Sequence, residues 1–169
     1  MSRVARWNAP NRDRRVIEIL RIGRRLTQMN TDTAGTKLRL GALTKIVIGA
    51  FYDVYNELGY GFLESVYQRA MEIALAEAGL QVRREVPIEV RFRNRRVGFF
   101  KVDLLVENVL AVELKSASAL NAAHEAQILN LLRATKLEVG LLCNFGPRPR
   151  FRRFVFDNEH YGRIRVHPR

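Results

Sequence analysis

A single cysteine, Cys143, stands in a chain of 169 residues, so neither an intramolecular disulfide nor a thiolate zinc cage can hold the fold together. The reducing cytoplasm is the expected setting. Histidine is scarce too: His124 is isolated, and His160 and His167 lie in a polar tail without metal-ligand spacing. The longest apolar run, Ile46 to Tyr52, falls far short of the ~20 residues of a membrane-spanning helix, so no membrane segment is expected. Acidic residues are the other deficit. Against 29 Lys+Arg there are 17 Asp+Glu, for a net charge of +12 and a pI near 10.8. A surface this basic attracts polyanions, nucleic acid first. With 47% hydrophobic and 27% charged residues, wholesale disorder and collagen-like architecture are excluded.

The positive charge is unevenly spread. Residues 1–40 hold ten Lys/Arg and three Asp/Glu, whereas residues 41–169 hold nineteen and fourteen. The first stretch shows little apolar periodicity except from Val16 to Met29, which could form a short basic amphipathic helix. It is read as a basic, partly ordered extension, and Asp13 and Glu18 weaken a transit-peptide reading. Residues 41–169 are read as the folded domain. Nothing in the pattern speaks to oligomeric state.

From Leu43 the apolar residues recur at steps of three and four (Ile46, Val47, Ala50, Phe51, Val54, Tyr55, Leu58), which predicts a helix ended by Gly59-Tyr60-Gly61. A second helix is expected from about Phe62 to Ala78, with Leu63, Val66, Tyr67, Ala70 and Ala74 on its buried stripe. The period then falls to two. Val86, Ile88, Val90 and Phe92 alternate with charged residues, and Pro87 points to a sheet edge or bulge. Arg93–Arg96 reads as a basic turn. Segments 97–106 and 109–115 are apolar on both faces, as strands covered by helices would be. A helix over 119–134, a strand over 139–144 and a last strand over 151–156 complete an α/β fold: one mixed central sheet flanked by helices.

Within the apolar strands, Asp103, Glu113 and Lys115 occupy positions where apolar residues would pack better. Burying a charge without a partner costs several kcal/mol, so these residues need a reason. Either they form an ion-pair network stitching two strands, or two carboxylates hold Mg²⁺ (or Mn²⁺) with an ammonium beside an activated water and a scissile phosphate. Gly61-x-x-Glu64-x-x-Tyr67 upstream and His124-Glu125-Ala126-Gln127 downstream complete the constellation.

Together these residues, with Gly79-Leu80, Pro87-Ile88 and Gly140-Leu141-Leu142 leading to Asn144-Phe145-Gly146, resemble the GxxExxY family, a branch of the PD-(D/E)XK nuclease superfamily. The likeness runs from roughly Leu43 to Val155. It implies a restriction-endonuclease-like core and Mg²⁺-dependent hydrolysis of phosphodiesters in DNA or RNA. Asp103 and Glu113 would ligate the metal, with the Leu114 carbonyl as a third donor. Glu64 would reach the metal directly or through water. Lys115 would orient or deprotonate the water, and Gln127 would orient Lys115 or a phosphate oxygen. Lys101 stands where the family commonly has arginine, and Leu131 where an aromatic is common. Tyr67 and Cys143 read as core, and His124 as structural.

Two further expectations follow from the residues. A two-residue Glu107-Asn108 hairpin would send Asp103 and Glu113 to opposite faces, so a shared metal requires an odd-length connection or a bulge. Lys101, Arg95, Arg96, Arg148, Arg150 and Arg152 are the expected contacts to nucleic-acid phosphates. The rival reading is a nucleic-acid-binding module of the same fold without turnover.

Overall fold

The computed structural model describes residues 33–156 and 164–167. The expected amphipathic segment Val16–Met29, any transit-type leader and His160 lie outside the described residues. The first helix, α1 (Thr33–Leu58), begins inside the stretch read as an extension, so a boundary drawn from charge cuts through continuous helix. Its stripe of Leu43, Ile46, Val47, Ala50, Phe51 and Val54 is buried, as the spacing predicts. Each large apolar side chain so buried contributes about 1.5–3 kcal/mol. The chain then turns at Gly61, whose φ of 105° is closed to L side chains.

Helix α2 (Glu64–Glu77) buries Tyr67, Met71 and Leu75. Leu63 and Val66, expected on this stripe, are instead exposed. The helix starts only at Glu64, which leaves Leu63 outside its first turn, and the buried face runs in steps of four from Tyr67.

Among the described residues six strands follow: β1 (Val82–Phe92), β2 (Arg95–Val106), β3 (Leu110–Lys115), β4 (Val139–Asn144), β5 (Arg150–Phe156) and β6 (Ile164–His167). They form one sheet in the order β1-β2-β3-β4-β5-β6. All neighbours are antiparallel except β3 and β4, which run parallel. That pair needs a crossover, and helix α3 (Ala122–Thr135) supplies it. The result is the mixed sheet flanked by helices that the pattern predicts. Strand β6 corrects the reading of the tail: Ile164–His167 pairs with Arg153–Phe156, and four residues of alternation are too short a signal to find it.

Helices α1 and α2 cover one face of the sheet over Leu104, Val106, Leu110, Val112, Leu114, Leu141 and Cys143. Helix α3 covers the other over Leu105, Ala111, Leu142 and Phe154. Strands β3 and β4 are buried along their whole length, which is why both of their faces are apolar. The expectation for β2 holds for half its length. Val102 and Leu104–Val106 are buried, but Val97 and Phe99 are each 62% exposed. β3 is half as long as β2 and pairs only with Leu104–Val106, so the far end of the β1–β2 hairpin overhangs the layers. Pro87 sits on edge strand β1, as expected.

Candidate active site

The β2–β3 connection decides whether the acidic residues can meet. It has three residues, Glu107–Val109, and Val106 pairs with Leu110 across it. Glu107 and Asn108 sit at φ 52° and 57°. This is the odd-length turn that a shared site requires, and it aligns Asp103 with Glu113. The ladder itself stops one step earlier, at Leu104 and Val112.

Where the strands part, side chains take over the backbone's hydrogen bonds. The Leu114 N–H donates to Asp103 Oδ2 at 2.8 Å. Gln68 Nε2, from α2, donates to Asp103 Oδ1 at 2.9 Å. Alternation along β2 breaks at the same point, because Val102 packs on the α3 side and Leu104 on the α1–α2 side. Across from Asp103, Glu85 drops out of the β1–β2 ladder with φ 50°. The register is the same on both sides, Arg84 with Leu104 and Val86 with Val102, so the ladder breaks there by one residue on each strand, and the Asp103 carboxylate bonds across the gap between β2 and β3.

Glu113 points under α3 and is 1% exposed. Its Oε1 accepts from Lys115 Nζ at 2.7 Å and from Gln127 Nε2. Its Oε2 is buried and accepts from no group among the described residues. Lys115, two residues on and therefore on the same face, also lies 3.9 Å from Glu64 Oε2. Glu64 opens α2, where its charge favours the positive end of the helix dipole. Its Oε1 accepts from the Ser116 N–H at 3.3 Å, and Ser116 Oγ donates to the Phe62 carbonyl at 2.8 Å.

These contacts strain the electrostatics in one direction. Burial, then the neighbouring Asp103 charge, pushes the Glu113 carboxyl up to about 7. Burial also raises Asp103, against the Leu114 N–H and Lys115, which favour its charged form. Burial alone would lower Lys115, but its hydrogen bond to Glu113 and the surrounding carboxylates outweigh that and raise it. Fully ionised, the three carboxylates and one ammonium carry two excess negative charges.

The residues present fit a divalent cation on two grounds: an orphaned, buried carboxylate oxygen on Glu113, and uncompensated negative charge around it. Among the described residues, no three His, Cys, Asp or Glu side chains converge tightly enough to form a complete cage. A cation held through one or two carboxylates and several waters, as Mg²⁺ is, needs no such cage.

Of the two roles expected of Gln127, orienting Lys115 or a phosphate oxygen, the structure bears on the first alone. Gln127 bonds to Glu113, not to Lys115, because α3 lies directly over the strand. Of the basic residues, Arg150 and Arg152 share the Lys115–Glu113 face. The register runs Lys115–Asn144–Arg150 and Glu113–Leu142–Arg152, which puts each about 10 Å away across two strand spacings. Arg148 and Arg150 are exposed. Arg152 is bound to Glu125 and lies over the Phe154 ring. Lys101 pairs with Glu85 at 3.2 Å, both exposed. Arg95 and Arg96 lie on the overhanging hairpin.

Several supporting residues escaped the sequence reading. Gln68 stands four after Glu64, on the same helical face, and that spacing could have found it. Asn144, buried at the end of β4, holds Ala117 twice: its Oδ1 accepts from the Ala117 N–H at 3.0 Å and its Nδ2 donates to the Ala117 carbonyl at 2.9 Å. Gly146 closes this clamp, since a Cβ there would lie 2.1 Å from the Ala117 carbonyl oxygen. Tyr67 is core, as expected, and it also ties the α1–α2 turn. Its hydroxyl donates to the Gly59 carbonyl at 2.9 Å and accepts from the Phe62 N–H at 3.3 Å, while its ring stacks on Phe145. His124 shares a capping box with Asn121 at the start of α3 and is structural. Cys143 is buried and its thiol pushed up to about 12, which makes it inert.

Among the described residues no helix is long and apolar enough to cross a membrane. No curated protein matches the chain significantly. One solved structure, the crystal structure of SSO0001, aligns at 12% identity with a TM-score of 0.45, over 85% of this chain and 79% of that one. A likeness of that degree adds nothing to the assignment. The family profile described as the PD-(D/E)XK nuclease superfamily matches residues 41–154, from the buried stripe of α1 through the site strands to β5. Over most of its length, then, the chain is a member of the PD-(D/E)XK nuclease superfamily.

Proposed function

We propose that this domain is a Mg²⁺- or Mn²⁺-dependent nuclease that hydrolyses phosphodiester bonds of DNA or RNA in the cytoplasm, and that it belongs to the GxxExxY branch of its superfamily. The observation that carries this reading is the meeting of Asp103, Glu113 and Lys115 at the point where β2 and β3 part, with one Glu113 oxygen left unpartnered. An ion-pair network built only for stability has no use for a second buried carboxylate that raises the pKa of the first.

Asp103 and Glu113 would hold the cation, with Glu64 joining through water. Bound there, the cation supplies Lewis-acid activation of water and shields charge building on the phosphate oxygens. Gln68 and the Leu114 N–H fix the Asp103 carboxylate. Gln127 fixes that of Glu113. Lys115, between Glu113 and Glu64, is the group that would orient the attacking water and offset charge on the phosphate. Arg150, across Asn144 from Lys115, would receive a neighbouring phosphate. The Tyr67 and Ser116 bonds explain what the Gly61-x-x-Glu64-x-x-Tyr67 spacing achieves: the tyrosine ties down the turn, and the turn delivers Glu64 to Ser116 and Lys115.

The test is degradation of mixed single- and double-stranded substrates with Mg²⁺ or Mn²⁺, comparing the wild type with Asp103→Ala and Lys115→Ala. The expected result is cleavage by the wild type alone, with nucleic-acid affinity kept in both variants and falling steeply as salt rises. Tight binding without cleavage by the wild type identifies a binding module instead.

A further inference from the structure

The overhanging end of the β1–β2 hairpin has a composition that the active site does not explain. Phe92, Val97 and Phe99 are each 62% exposed. The Arg93 guanidinium lies 5.2 Å from the Phe92 ring centroid, and that of Arg96 lies 5.0 Å from the Phe99 centroid. Arg91 is neutralised by Glu89 at 2.6 Å. Arg93, Arg95 and Arg96 make no ion pair among the described residues. Large apolar side chains left in water on a hairpin are costly, and among the described residues no helix covers them.

We infer that this hairpin is an arm that binds single-stranded nucleic acid, stacking unpaired bases on Phe92 and Phe99 while the unpaired arginines take the flanking phosphates. The inference deepens the nuclease reading and rests on it for the connection to the active site. Aromatic rings carrying a guanidinium on one face and open to solvent on the other suit a flat base, and arginine adds cation–π attraction. Duplex bases are already stacked and offer such rings nothing without being prised apart. A second copy of the chain is disfavoured as occupant, because pairing two such tips would set six unneutralised guanidinium groups against one another.

Position supports the same occupant. Phe99 lies four residues from Asp103 along β2, and the hairpin end about eight. At ~3.3 Å per residue the arm reaches about 13–26 Å from the site, or about four to eight stacked-base rises of ~3.4 Å. A strand must therefore exceed several nucleotides to engage both the site and the arm.

The experiment measures binding of fluorescent oligothymidylates of about 4 and about 20 nucleotides, and of a 20-base-pair duplex, to the full-length chain without divalent metal. Wild type is compared with Phe92→Ala/Phe99→Ala and with Arg93→Gln/Arg96→Gln, each checked for an unchanged melting temperature. These side chains are exposed, so both variants should fold. The phenylalanine variant is expected to lose about tenfold or more in affinity for the long strand with its salt slope unchanged. The arginine variant should lose affinity and also flatten the salt slope by about 1.4. Neither should change binding of the short strand. Equal weakening of duplex and single strand, no weakening by the phenylalanine variant, or no binding of the long strand by the wild type overturns the arm. Cleavage assays on the same proteins separate the two readings: cleavage unaffected by the variants overturns the arm alone, and arm-dependent binding without cleavage overturns the nuclease reading alone.

Discussion

Raising the pH should strengthen metal binding, and the structure sets how much. Burial and then the Asp103 charge push the Glu113 carboxyl from an ordinary 4.5 to about 7. A proton must leave that carboxyl before a cation can take its place. At about pH 5.5 only ~3% of Glu113 is ionised and at about pH 8 ~90%, so Mn²⁺ affinity should rise roughly thirtyfold, or about 2 kcal/mol. Asp103 is raised as well and can only steepen the trend at the acidic end.

The metal-free protein should behave in the opposite sense. A carboxyl whose folded pKa exceeds its unfolded one holds a proton that the unfolded chain has released. Stability is therefore greatest below pH 4.5 as far as this group is concerned, and falls as pH rises from 4.5 to about 7. Lys115 is raised above 10.5 and plays no part in that window. Added metal binds the ionised folded form, so it restores what the rise in pH removes. Isothermal calorimetry and thermal melts with and without Mn²⁺ across this range would measure both effects. Glu113→Gln should remove the rise in metal response between about pH 5.5 and 8, leaving only the Asp103 contribution at the acidic end. A melting shift equal at both ends of the range, or an undiminished rise between about pH 5.5 and 8 in Glu113→Gln, would refute the reasoning.

Three other outcomes are expected. Gly146→Ala forces a methyl to within 2.1 Å of the Ala117 carbonyl oxygen; the clamp must open, at a cost of about 3 kcal/mol or a melting temperature roughly 5–10 °C lower, and a calorimetric scan matching wild type would contradict this. Tyr67→Phe removes both hydrogen bonds that tie the α1–α2 turn. It should destabilise by about 1–3 kcal/mol in denaturant titrations and also lower turnover by loosening Glu64, whereas wild-type turnover would divorce the turn from the site. Gln68→Leu takes a donor from Asp103 Oδ1, which favours the protonated acid. The acid limb of the pH–rate profile should therefore move to higher pH, and an unmoved limb would show that Gln68 does not tune the site.

The order of helices and strands as far as β5, the buried stripe of α1 and the short apolar strands could all be read from periodicity, because each depends on neighbours within a few residues along the chain. Asp103, Glu113 and Lys115 stood out for a related reason: charge inside an apolar run is a local anomaly. The need for an odd-length β2–β3 turn was legible as well, since strand parity is a property of counting. Other features lay beyond local reading. Whether a strand residue is covered depends on how far its neighbours extend, so the short reach of β3 left Val97 and Phe99 bare although their pattern matched a covered strand. The bond from Gln127 to Glu113 depends on where α3 crosses the sheet. The Asn144–Ala117 clamp joins residues 27 apart in sequence, and the Gln68–Asp103 bond joins residues 35 apart. Such contacts exist only once the layers have packed, because no spacing along the chain encodes the distance between two elements that meet across a sheet.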